Sequence, residues 1–130
     1  MTLQLSMTLA VAAGGAVGAI GRYGVGVWMT RWLGTGFPWG TLTVNVIGSL
    51  LMGLAVQVFI HKTQLSDEFT AFLTIGVLGG FTTFSAFSLD AVLMLQRGQI
   101  SMATLYIIGS VLLSLSALVI GMYLARLIGA

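Results

Sequence analysis

The sequence predicts an all-α integral membrane protein of four transmembrane helices, the third of them broken. Three observations predict this class. The chain of 130 residues is 58% hydrophobic and only 6% charged, against about 25% charged in ordinary soluble domains, and its mean hydropathy is +1.07. Four stretches carry no charged residue at all: 3–21, 38–60, 69–89 and 100–125. Each meets or approaches the roughly 20 residues needed to cross a bilayer. Finally, the third stretch contains residues 79–88 (GGFTTFSAFS), two adjacent glycines followed by hydroxyl side chains. A continuous lipid-facing rod has no use for such a run. Unwound backbone at membrane depth survives only where protein buries it or water lines it, and breaks of this kind hold ions through freed carbonyls and half-helix ends.

The four spans are expected at about 3–29, 38–60, 69–96 and 100–126, forming one transmembrane domain. The first lacks the basic leader region of a secretory signal and runs on as apolar sequence, so it reads as a retained helix. Residues 34–38 (GTGFP) then make a turn, with Pro38 placed as the first residue of the second helix. Trp28, Trp32 and Trp39 flank that turn, where an interfacial aromatic belt belongs. The second span carries Thr41, Asn45 and Ser49 at i, i+4 and i+8, one polar stripe on one face. The exposed charge gathers at residues 61–68, and residues 96–99 (QRGQ) close the third span. The last span repeats the stripe with Tyr106, Ser110 and Ser114. Gly14 with Gly18, Gly76 with Gly80 and Ser49 with Gly53 are small-xxx-small pairs that let helices approach closely.

Composition excludes several classes. With no cysteine there is no disulfide, thiolate metal site or cysteine nucleophile. Five basic residues are too few for a surface that tracks phosphates, which sets nucleic acid aside. An enzyme is not expected: His61, Asp67 and Glu68 fall in one loop, so no serine, histidine and carboxylate converge within the membrane. Counting basic residues by face sets Lys62 and Arg126 against Arg31 and Arg97. That balance gives the positive-inside rule almost nothing to act on and permits antiparallel pairing. Arg22 is expected at the interface, snorkelling or holding backbone carbonyls.

The polar groups indicate which ion is handled. Cation channels and proton relays show carboxylates at membrane depth, whereas here the groups are hydroxyls, one amide and phenyl rings. Phe84 and Phe87 stand three residues apart on one helical face, and phenyl rings have positive edges that can meet an anion. The Asn45 amide and the hydroxyls supply donors that replace the water of a small anion. The bland alternative for each residue is packing or a hydrogen bond between helices; two complete stripes beside a helix break weigh against it.

Taken together, GTLTVN at 40–45, GGFTTFS at 79–85 and the early Gly21-Arg22-Tyr23 resemble the fluoride channels of the Fluc (CrcB) family, and the likeness extends over the whole chain. The resemblance implies an antiparallel, dual-topology homodimer in a prokaryotic cytoplasmic (inner) membrane. Two pores per dimer would give passive export of cytoplasmic fluoride. It implies pore roles for Asn45, Phe84, Phe87, Thr41, Tyr106, Ser110 and Ser114. It also implies a structural sodium ion at the dimer centre, held by the backbone carbonyls of Gly79 and Thr82. Two positions depart from the family pattern: Ala86 stands where threonine is common, and Asp90 where glutamate is. The competing functions are a small multidrug-exporter-like, dual-topology carrier and a non-transporting assembly subunit. Such a carrier wants a carboxylate within the first helix, and this chain has none there.

Overall fold

The structure, a computed structural model, describes residues 2–61 and 64–129. Lys62, which enters the orientation count, lies outside the described residues. All regular structure among the described residues is helical, and four stretches are long and apolar enough to span a membrane: Leu5–Leu33, Trp39–His61, Asp67–Gln96 and Ile100–Leu127. Helix α1 (Leu5–Leu33) runs past the expected end at residue 29 because nothing in TRWL stops it. It ends where Gly34 takes φ 78° and its N–H bonds the Thr30 carbonyl, a left-handed closure open to glycine. Pro38 stands one residue ahead of α2 (Trp39–His61) rather than inside it, its carbonyl accepting the Leu42 N–H at 3.2 Å.

The third span begins as α3 (Asp67–Ala71), with the Ser66 hydroxyl accepting the Phe69 N–H at 3.1 Å as an N-cap. Asp67 and Glu68 therefore belong to the first turn of a helix, where carboxylates complement the positive dipole end, and not to a loop as their clustering suggested. His61 likewise closes α2. The arm continues through a π-wound stretch (Phe72–Leu78), in which the Gly79 N–H reaches back to the Thr74 carbonyl, and a last α turn (Gly79–Phe81). Thr82 and Thr83 are then extended, at φ −83°, ψ 159° and φ −153°, ψ 120°. Helix α4 (Phe84–Gln96) resumes with the Thr83 hydroxyl accepting the Ala86 N–H at 3.1 Å. The break is real, but it falls at the threonines. Gly79 and Gly80 are helical; Gly80 lies against the Gly15 main chain of α1, while the contact of Gly79 is the Thr74 carbonyl of its own arm. After a tight turn, α5 (Ile100–Leu127) completes the chain.

Two glycine seams hold the helices together. On the first, α1 meets the third span: a methyl group on Gly76 would stand 2.8 Å from the Gly14 Cα, and one on Gly80 2.7 Å from the Gly15 carbonyl oxygen. On the second, Gly53 of α2 lies against the Leu118 carbonyl of α5, and Gly121 of α5 against the Leu50 carbonyl of α2. The Gly14/Gly18 and Gly76/Gly80 pairs read from the sequence thus share one seam within the chain, and Gly53 of the Ser49/Gly53 pair lies on the other. A compact apolar cluster of Phe87, Ala91, Met94, Ala103 and Tyr106 joins α4 to α5, and Phe37 packs edge-on against the Tyr106 ring at 5.4 Å.

The outer surface is apolar. Leu9, Ile20, Leu105, Leu112 and Val119 are all more than half exposed, which suits lipid and not water. Trp28 and Trp32 touch edge to face at 5.4 Å near the end of α1, as an interfacial belt requires. The protein is a multi-pass membrane protein.

Replacing Gly76 by valine forces side-chain atoms into the α1 backbone. Overpacking of this kind costs about 1–3 kcal/mol or more, so Gly76→Val is expected to lower the unfolding midpoint in detergent by several degrees. Gly24→Ala, inside α1 at a position open to space, should not lower it, since alanine is the better helix former.

Candidate functional site

The site is built on the break. An uninterrupted α-helix sends each N–H to the carbonyl four residues back. The Thr82 N–H still reaches the Leu78 carbonyl at 3.0 Å, and beyond it side chains take over the pattern. The Thr83 N–H donates to Asn45 Oδ1 at 2.7 Å instead of to the Gly79 carbonyl, and Asn45 Nδ2 donates to the Thr83 carbonyl at 3.0 Å. The Ala86 N–H goes to Thr83 Oγ1, leaving the Thr82 carbonyl without that donor. Arg22 Nε donates to the Gly80 carbonyl at 3.0 Å, standing in for the Phe84 N–H on the far side of the break. Of the two positions expected for Arg22, holding a carbonyl is the one observed. Part-buried polar backbone is thereby satisfied by partners from α1 and α2.

Two cavities flank this clamp, and Thr83 lines both. The smaller, of about 300 Å³, is lined by Asn45 and Ser49 of α2, Phe84 and Phe87 of α4, and Ser110 and Ser114 of α5, with Thr82 at its wall. Five of the residues predicted for a pore therefore meet in one place: Asn45, Phe84, Phe87, Ser110 and Ser114. The two phenyl rings lie 5.5 Å apart and tilted by 53°. Ser110 is 5% exposed, and its hydroxyl has no hydrogen-bond partner among the described residues. A buried orphan hydroxyl is costly, and this one borders a space large enough for a guest.

The remaining candidates sit apart from that group. Thr41 lines the larger cavity, of about 700 Å³, together with Arg22, Ala86 and Asp90. Tyr106 is 1% exposed in the α4–α5 cluster, with its ring 5.2 Å from Phe87. Its hydroxyl donates to Asp90 Oδ2 at 3.1 Å. The polar stripes on α2 and α5 are thus divided: their later members face the small cavity, Thr41 lines the large one, and Tyr106 is buried in the core with its hydroxyl on Asp90. Asp90 stands inside α4, where its carboxylate accepts the Tyr106 hydroxyl.

Sequence reasoning missed Thr83, whose main chain is the target of Asn45, and did not identify Gly80 as the residue whose carbonyl Arg22 holds. The run of hydroxyls around the break was the available signal for the first. Residue spacing carries none for the second, a bond that joins positions 58 apart.

In Asn45→Asp, a carboxylate oxygen replaces the Nδ2 donor and faces the Thr83 carbonyl. The lost bond and the opposed oxygens cost about 1–3 kcal/mol. The variant is expected to show a lower unfolding midpoint and faster amide exchange at Thr83 than the parent.

The sequence matches the family described as "CrcB-like protein, Camphor Resistance (CrcB)" over residues 9–122. It is 52% identical over 122 residues to the fluoride-specific ion channel FluC of Rhodospirillum centenum, covering 94% of this chain and 97% of that protein. It is 47% identical over 126 residues to the fluoride-specific ion channel FluC of Nitrobacter winogradskyi, covering 97% of this chain and 100% of that one. The protein of the same description from Erythrobacter litoralis is 52% identical over 128 residues, covering 95% of this chain and 94% of that protein.

Proposed function

The chain belongs to the CrcB family, and from that premise we propose that it is a fluoride-selective channel giving passive export of cytoplasmic fluoride across a prokaryotic inner membrane. One observation carries the reading: the buried, unpartnered Ser110 hydroxyl opens on the cavity that also gathers Asn45, Phe84, Phe87 and Ser114. Those groups suit a small anion. Hydroxyl and amide N–H groups donate, and ring edges add positive potential without a full charge. Asn45 spends one Nδ2 hydrogen on Thr83 and has a second to offer. The relatives' names agree with the choice of ion.

The working unit in this proposal is an antiparallel homodimer with two pores. Phe84 supports it: the ring borders the small cavity yet is 77% exposed, so one chain leaves the pathway open on a side that a second copy would close. The near balance of basic residues between the two faces agrees with insertion in both orientations.

The residues also fit a central sodium ion. The N–H groups that would ordinarily bond the Gly79 and Thr82 carbonyls are both taken by side chains, which frees two oxygens of the kind a hard cation takes. A cation there would tie two breaks together at the dimer centre.

The decisive measurement is ion-specific efflux from liposomes holding only this polypeptide. Fluoride is expected to leave and chloride to stay, with no proton gradient imposed, whereas a proton-coupled carrier would stall. Phe84→Ile should cut fluoride efflux at least tenfold with the dimer intact; full flux would remove the ring from the pathway. For the cation, sodium is expected to remain with the purified dimer through exhaustive dialysis. A protein whose dimer contains no sodium by elemental analysis would end that part of the proposal.

A further inference from the structure

The larger cavity contains charge that the pathway described above does not use. It is an open recess of about 700 Å³ whose lining includes Arg22, Arg31 and Arg97 against a single carboxylate, Asp90. The chain has five basic residues in all, so more than half its positive charge converges on one recess. The four charged groups have different roles. Asp90 accepts the Tyr106 hydroxyl, and Arg22 spends its Nε on the Gly80 carbonyl. Arg31, in the last turn of α1, and Arg97, which caps α4, are both exposed. They stand at the helix ends that lead into the two loops closing the same end of the bundle. The recess ends on Thr83, which also walls the small cavity.

We propose that Arg31 and Arg97 capture anions for the pathway, acting as charges held at the recess and not as ligands of the permeating ion. The inference rests on the channel reading above. Low-dielectric walls lined with one sign of charge focus the field and raise the local concentration of the opposite ion, which accelerates entry by about tenfold or more. The helix surfaces around this recess supply such walls. The protein needs a device of this kind because the small cavity offers partial charges only, which can solvate a fluoride ion but cannot draw one from dilute solution. Capture and solvation are thereby assigned to different cavities on either side of Thr83.

The test uses the R31Q/R97Q double variant of the full chain in liposomes, with initial fluoride efflux read by an electrode at low and high ionic strength set by impermeant ions. The Debye length falls from about 10 Å at 0.1 M to about 3 Å at 1 M. The double variant is therefore expected to run several-fold slower than the parent at about 0.02 M and to converge with it near 1 M. Its half-saturating fluoride concentration should rise while the saturating rate holds, and R31K/R97K should keep the parent rate at both ionic strengths. An unchanged rate at low ionic strength, or a loss of equal size at both, would overturn the proposal. Failure of the parent itself to move fluoride would appear first and would overturn the channel reading instead.

Discussion

The pair of hydrogen bonds between the Asn45 side chain and the Thr83 main chain is the constraint on which the rest of the structure depends. Ending a helix in the middle of a bilayer exposes polar backbone where water is absent, at a cost of several kcal/mol for each unsatisfied group. One amide meets that cost at Thr83 from both sides, accepting from its N–H and donating to its carbonyl. Only one orientation of the amide satisfies both bonds, so the asparagine is locked as firmly as the backbone it serves. The Thr83 hydroxyl caps the next helix, and Arg22 holds the carbonyl before the break. With those partners present, two extended residues become a stable feature of the membrane interior. Cavities then open on both sides of them.

The fold was legible because the signal was composition and length. Charge-free stretches of spanning size need no tertiary information, and their number and order came out as read. Boundaries shifted where local chemistry decided them: α1 runs on until the positive φ of Gly34 closes it, and the Ser66 cap drew Asp67 and Glu68 into a helix. The break was legible in kind and misplaced in detail. A glycine pair signals either unwinding or close approach, and the sequence does not distinguish the two. In the structure Gly80 faces Gly15 across the α1 seam, while the threonines, able to cap with their own hydroxyls, take the extended conformation.

The site was legible to the same extent and for a related reason. Residues four apart on a helix share a face, so the stripes could be read, and Asn45, Ser110 and Ser114 do meet around one cavity. Which cavity each member serves depends on how α2 and α5 rotate against α4, and that is set by packing around Tyr106. Spacing could not tell that Thr41 and Tyr106 turn away from Ser110, or that Asp90 is bound to Tyr106 across the helix pair. Arg22 is the clearest case of information absent from local sequence: its partner is a main-chain carbonyl, which every residue has.

The seam between α2 and α5 has a mechanical consequence. Gly53 and Gly121 bring main chain against main chain, and peptide backbone has no rotamers through which to yield. The polar walls of the small cavity, Asn45 and Ser49 on one side and Ser110 and Ser114 on the other, hang from that hinge-free joint a turn or two away. Their separation is set by the shortest and stiffest spacer a protein can make. The width of the small cavity is thereby held by residues that have no side chain at all.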